Sequence, residues 1–423
     1  MNILLLNQDW FATELRSFGH SVLTCGVTPQ LDHRLSSSVV DLKETLSSLP
    51  NGFKPDVIVW LDDSAPVTYI GIEDAEVPTI FYSVDTHHHW DLHARLAHCF
   101  DQVLVAQKDY LHHFAPSGTP TSWFPLWAPR HVEPSKTKTT PMAFVGTMDA
   151  RLNSKRVEFF TKLQQIAPIT IKQGNYWEIF PHAEIVVNQT VKGDLNFRVF
   201  ESMMCGGMLL TERSSNGLLE LFHEGEHLVT YTAGDVHDVA EKATELLATP
   251  HRMHAIADAG RAEVAAKHTA LHRASALNDI LASITKRPKS PARHIAMMIN
   301  HGLAAAIMRD RNARLSALSL QAAVESAVKS LREGHLPDAV ESAHLIRNYL
   351  RWDAVTGGSD GSRLLLSHAE AIPSNYLLAL ARIRSLLNRG LRVEAETLAS
   401  SISPDPCSHV FNTAEEAVSL LLR

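Results

Sequence analysis

The chain has 423 residues, more than one ordinary domain of roughly 100–200 residues takes up, so it is expected to divide into two or three units. Its 45% hydrophobic and 20% charged content is that of a globular protein and excludes collagen-like, coiled-coil and wholly disordered chains. Thirty-nine Lys and Arg against 46 Asp and Glu give −7, which leaves no global positive field for nucleic acid or an anionic membrane.

The chain opens on Ile3-Leu4-Leu5-Leu6, a short buried strand that reaches Asn7-Gln8-Asp9 too soon to be read as a signal peptide or membrane span. Strands follow at Val57–Leu61, Thr79–Ser83 and Val103–Ala106, separated by helical spacing over Trp10–Phe18 and His89–Cys99. That alternation predicts a parallel α/β sheet over residues 1–135, ending at the polar Pro134-Ser135-Lys136-Thr137.

A second α/β series, 136–290, starts with Met142–Gly146 and continues through strands at Ile169–Lys172, Ile185–Val187, Gly207–Leu210 and His227–Thr230. Helices are expected over Ser154–Ile166, Phe197–Met204, Val236–Ala248 and Pro250–His268. After Lys286-Arg287-Pro288-Lys289-Ser290-Pro291 the strand signals stop, and 291–423 reads as an all-α interaction unit. In it Leu331, Gly334, Ala339 and Ala343 recur as Leu387, Gly390, Ala395 and Ala399, an offset of 56. The pattern is similar to a tetratricopeptide repeat, whose period is about 34, and equally suits a small helical bundle. Cys25, Cys99, Cys205 and Cys407 stand singly, which points to a cytoplasmic chain without a disulfide framework or cysteine zinc site.

The segment Asn196-Phe197-Arg198-Val199-Phe200-Glu201 reads as a helix start, followed by Cys205-Gly206-Gly207 and a buried strand. Free backbone N–H groups and the positive helix end favour an anion there. Arg198 can grip a phosphate through two nitrogens, and Glu201 can accept both hydrogen bonds of a ribose diol. An ordinary amphipathic helix with a charged first turn gives the same pattern.

Residues 142–248 resemble the donor-binding domain of GT-B glycosyltransferases of the CgeB-like group and its retaining relatives. The resemblance is carried by Phe144-Val145-Gly146-Thr147, Asn153-Ser154-Lys155-Arg156, Asn196-x-Arg198-x-Phe200-Glu201, Cys205-Gly206-Gly207 and Leu221–His227, and extends more weakly to residues 1–130. It implies two Rossmann-like domains facing across a cleft, the second holding a nucleotide-diphosphate sugar, UDP- or GDP-linked, as donor. On that resemblance Glu201 meets the ribose, Arg198, Lys155 and Arg156 meet the diphosphate with Asn196 beside them, Gly146 and Thr147 form the close-approach turn, and Asn175 and Tyr176 flank the nucleobase. Many retaining relatives carry a second glutamate eight positions earlier, where this chain has Gly193.

In the first domain the loop after Thr79–Ser83 carries Asp85, His87 and His88, which the resemblance makes candidates for orienting the acceptor hydroxyl, with a histidine or carboxylate able to serve as base. His89 and His93 stand at i,i+4, a metal-like spacing, yet no Glu completes a His-Glu-x-x-His motif and no metal is assigned. Asn7–Trp10 holds no glycine, which argues against a dinucleotide loop, and Asp62-Asp63-Ser64 is read as a capping pair beside the crevice. The expected activity is metal-independent glycosyl transfer to a hydroxyl of a protein or glycan acceptor. A non-catalytic nucleotide-sugar-binding scaffold and a sugar-nucleotide epimerase are the alternatives. The helical unit is expected to bind the acceptor, another protein or a second copy.

Overall fold

The computed structural model describes residues 1–62, 64 and 68–402. Asp63 and Cys407 lie outside the described residues, as does the end of the helical stretch from 403 on.

The first sheet is built from β1 (Asn2–Leu6), β2 (Ser21–Gly26), β3 (His33–Arg34), β5 (Val57–Leu61), β7 (Thr79–Ser83), β8 (Gln102–Val105) and β9 (Thr121–Trp123). Its order is β3-β2-β1-β5-β7-β8-β9, every pairing parallel. Because helices cover both faces, β5 and β7 are buried along their whole length, which is why they read as unbroken apolar runs. Two short strands, β4 (Val39–Asp41) and β6 (Thr68–Ile70), pair separately. The sequence reading omitted β2, whose Ser21-Val22-Leu23-Thr24-Cys25-Gly26 mixes polar residues into the run, and the two- and three-residue strands that lean on neighbours.

The second sheet, β10 (Thr140–Val145), β11 (Ile169–Lys172), β12 (Ala183–Asn188), β13 (Met208–Glu212) and β14 (Val229–Tyr231), has the order β11-β10-β12-β13-β14, again all parallel. Two Rossmann-like sheets followed by an all-helical region make the GT-B architecture expected from the sequence.

One apolar core runs from the first sheet into the second, joining Ile3, Leu5 and Tyr82 to Val199, Phe200 and Met203. At its centre Trp10 and Trp127 lie 6.0 and 5.1 Å from Phe197, so the first residue of the Phe197–Met204 helix is anchored in the opposite domain. The helix Ala270–Ser283, absent from the sequence reading, also returns to the first domain. Arg273 donates to the carbonyls of Pro125 and Leu126, and Asn278 meets His20.

From Arg293 the chain is helical, with helices Arg293–Met308, Ala313–Arg332, Ala339–Thr356, Asp360–Ala371, Tyr376–Asn388 and Arg392–Ser401. The first packs on the Thr86–Leu96 helix of the first domain, and Arg95 bridges Asp338 and Glu341 at 2.9 Å each. Gly334 and Gly390 turn the two related helix pairs with φ of 76° and 75°, a left-handed conformation that favours glycine. The alanines behave differently: Ala395 and Ala399 are buried, whereas Ala339 is exposed and Ala343 half-buried.

Candidate functional site

The carboxyl ends of the two sheets face one another, the place where open α/β sheets bind ligands. Gln107, just past β8, exchanges hydrogen bonds with the backbone of Leu195, beyond β12, at 2.8 and 3.3 Å. Asp109 N donates to Asn216 Oδ1 at 3.0 Å, and Lys108 pairs with Glu220. Across this floor Lys192 donates to the His87 carbonyl at 3.2 Å, tying the first domain's histidine loop to the second domain's 191–195 loop.

On the second domain the central residue is Arg198. Its Nε donates to the Val145 carbonyl at 3.0 Å, one Nη donates to Asn188 Oδ1 at 2.7 Å, and the guanidinium lies 4.5 Å over the Phe144 ring. These contacts hold it against the end of β10, beside Gly146, where an added Cβ would stand 2.7 Å from the other Nη and from Phe144. The close approach, rather than a positive φ, is what requires glycine there. Burial, then the like charge of Arg156, brings Arg198 down to about 10, with Glu201 and Asp194 opposing; it remains a cation at neutral pH.

Arg156 lies 5.7 Å over the same Phe144 ring and donates to Gln189 Oε1 at 3.0 Å. Lys155, its neighbour, lines a recess of about 470 Å³ with Lys162, Lys192, Gly193, Glu212 and Gln189, the last being the residue that Arg156 bonds. Gly193, the position of the missing glutamate, has φ 74° and offers its carbonyl to Ser214 and Asn216.

Glu201 sits one turn beyond Arg198. Its carboxyl is held up near 7 by burial, against the pull of Arg198, and it accepts no hydrogen bond from any described residue. Asn196 begins the helix without capping it, and its Oδ1 is buried without a partner. Two polar oxygens in a buried site with no protein donor call for donors from a ligand or water. Tyr176 is half-buried, packed 5.8 Å from Phe180, and its hydroxyl is pushed up by burial and by Glu201. Asn175 and Thr147 are exposed, and Asn175 bonds Glu178 at 2.8 Å. Trp177, in the segment expected beside the nucleobase, has the Arg130 guanidinium 4.2 Å over its ring.

On the first domain Asp62 accepts from the backbone N–H groups of Val84 and Asp85, at 3.1 and 3.0 Å, and from Ser64 N. This buried carboxylate shapes the loop after β7 rather than capping a helix, whose N-cap is Asp85. Asp85 accepts from Ser64 Oγ. His87 is buried, with Nδ1 unpartnered, and burial holds it down to about 4, opposed by Asp85. His88 is exposed and is also lowered, by burial and then by His87. His89 and His93 turn the other way, lining a cavity of about 280 Å³ with Asn300, Leu303 and Ile307 of the helical unit. His93 is bonded to Ser83 Oγ at 2.8 Å.

Comparison with known proteins agrees with this geometry. A family model described as glycosyl transferase-like matches residues 145–279, so the chain contains a domain of that kind. Among solved structures, sucrose-phosphate synthase from Thermosynechococcus elongatus superposes with a TM-score of 0.52 at 13% identity, covering 67% of this chain and 98% of that one. Anabaena HepE, solved in complex with UDP and glucose and with UDP-glucose, superposes with a TM-score of 0.50 at 12% identity, covering 67% of this chain and 100% of that one. Such likeness defines the fold. No curated protein matches the chain by sequence.

Proposed function

We propose that the chain is a GT-B glycosyltransferase that transfers a sugar from a nucleotide-diphosphate sugar to an acceptor hydroxyl, with retention and without a catalytic metal ion. The observation that carries the reading is the half-buried carboxylate of Glu201, without a hydrogen-bond donor among the described residues, one turn from the half-buried cation of Arg198, at the carboxyl edge of the second sheet. Glu201 would accept the ribose diol, Arg198 and Arg156 would hold the diphosphate, and Gly146 would let it approach. Tyr176 and Asn175 would flank the base. HepE is described as binding UDP-glucose, which favours a UDP-sugar as the first donor to try.

In the reaction the bond from the anomeric carbon to the diphosphate oxygen breaks and a bond to the acceptor oxygen forms. Negative charge grows on the departing diphosphate, and Arg198 stabilises it most where water is excluded. In the retaining course the acceptor proton passes to that leaving oxygen. Asp85, His87 and His88 then orient the acceptor rather than remove its proton, with His87 a neutral hydrogen-bonding ring at physiological pH.

The three described cysteines are free and buried, and no helix among the described residues is long and apolar enough to cross a membrane; we place the protein in the cytoplasm. The CgeB-like and tetratricopeptide-like affinities belong to the same proposal, with the helical unit presenting a protein or glycan acceptor.

Transfer and hydrolysis measured over a panel of UDP- and GDP-sugars test the reading. Loss of both in Glu201→Ala and Arg198→Lys, in folded protein, supports it. Wild-type rates in both variants overturn it.

A further inference from the structure

Between the first domain and the helical unit, far along the chain from the donor site, lies a buried polar cluster that the proposed transfer does not use. Glu73 and Asp74 belong to the turn Ile72–Asp74 after β6, and His294 begins the Arg293–Met308 helix. Each offers one ligand atom, all within 4.8 Å of one another.

Two features separate this cluster from an ordinary ion-pair network. Asp74 and Glu333 already have cationic partners, at 3.2 Å from Arg293 to Asp74, 3.3 Å from Lys329 to Asp74 and 2.6 Å from Arg293 to Glu333. Among the described residues Glu73 has no Lys or Arg partner: its side chain is 2% exposed, its Oε2 is bonded to nothing, and the basic group beside it is His294, itself 2% exposed. A buried carboxylate without a compensating charge is strongly disfavoured.

The second feature is the spacing. Glu73 Oε1 stands 3.6 Å from His294 Nδ1, and that nitrogen makes no hydrogen bond. Two ligand atoms about 2.1 Å from a tetrahedral ion stand about 3.4 Å apart. The other ring nitrogen, Nε2, stands 3.3 Å from Glu333 Oε1 and 3.7 Å from Asp74 Oδ1, so carboxylates meet the ring at both nitrogens; a carboxylate on the second nitrogen is the partner that metal-bound imidazoles characteristically have. Two turns along the same helix His301 is fully buried with neither ring nitrogen partnered, and its field includes Glu73.

We propose that Glu73, His294 and Asp74 bind a divalent transition-metal ion, Zn²⁺ by preference, which fastens the helical unit to the first domain. One imidazole with two carboxylates suits zinc better than calcium or magnesium, which take oxygen ligands. Water completes the tetrahedron. The ion neutralises Glu73, while Arg293 and Lys329 hold Asp74 in place from outside.

The test uses full-length protein without a polyhistidine tag, stripped with chelator and titrated with ZnCl₂. One zinc per chain and a rise in melting temperature are expected, both lost in the near-isosteric Glu73→Gln and weakened about tenfold or more in His294→Gln. His112→Ala with His113→Ala, an adjacent pair with rings 3.9 Å apart outside the cluster, retains them. Stripped Glu73→Gln melting at or above stripped wild type shows that the loss is of a ligand and not of the fold. Zinc binding unchanged in Glu73→Gln overturns the site. So does a wild type whose melting temperature is indifferent to zinc.

Discussion

Arg198 and Glu201 stand one turn apart on the same helix, both half-buried and opposite in charge, yet no ion pair joins them. Arg198 instead turns back to the Val145 carbonyl and Asn188, while Glu201 is left without a donor. An arrangement that served folding alone would pair them, since a lone buried carboxylate costs stability. Their separation leaves one group for phosphate oxygens and the other for hydroxyls.

This separation gives Glu201 a distinct pH signature. Its carboxyl titrates near 7 in the folded chain, against about 4.3 in an unfolded one. Between those values the folded state keeps a proton that the unfolded state has lost, so this group's contribution to stability falls as pH rises through the window. Denaturant midpoints are expected to show Glu201→Gln gaining on wild type from pH 5 to 8. Donor affinity of the wild type should strengthen from pH 6 to 8, and the pH dependence should vanish in the variant.

Arg198→Lys keeps a positive charge but loses the planar fork that bonds Val145 and Asn188. Loss of one or two charge-assisted hydrogen bonds to the donor is worth about 2–3 kcal/mol, roughly 30- to 150-fold in dissociation constant. Calorimetric titration with UDP-sugars checks this, with circular dichroism as the control for folding.

Gly146→Ala places a methyl 2.7 Å from an Arg198 nitrogen and from the Phe144 ring. Overpacking of this kind costs about 1–3 kcal/mol, and the displaced guanidinium should raise the KM for donor more than it lowers the melting temperature. A variant with an unchanged donor KM would show that Arg198 does not meet the diphosphate at this turn.

Gly302→Ala probes the helical unit alone. The new Cβ would stand 2.4 Å from Asn348 Nδ2, a buried amide that donates to the Met298 carbonyl. A destabilisation of about 1–3 kcal/mol is expected, seen as a lower melting temperature, while donor binding persists in the folded fraction.

The long buried strands and their covering helices were legible because parallel sheets bury both faces and write that burial as apolar runs, as at Val57–Leu61. β2 and the Ala270–Ser283 helix escaped for opposite reasons. The strand is interrupted by polar residues, and the helix follows another so closely, after Thr269, that periodicity shows no boundary. Of the site, the types and spacing of Arg198 and Glu201 were visible, as were Gly146 and the Asp85–His88 loop.

By itself, the sequence determined two α/β domains, a helical tail and a basic and acidic pair at one helix start, because these are local patterns of hydrophobicity, turn residues and charge. Tertiary structure alone decided which groups face one another. It brought Lys192 to the His87 carbonyl, turned His89 and His93 toward the helical unit, and gathered Glu73, Asp74 and His294 from positions more than 200 residues apart. Contacts of that separation depend on how the sheets and helices pack, and a buried charge acquires its altered chemistry only once packing has removed the water around it.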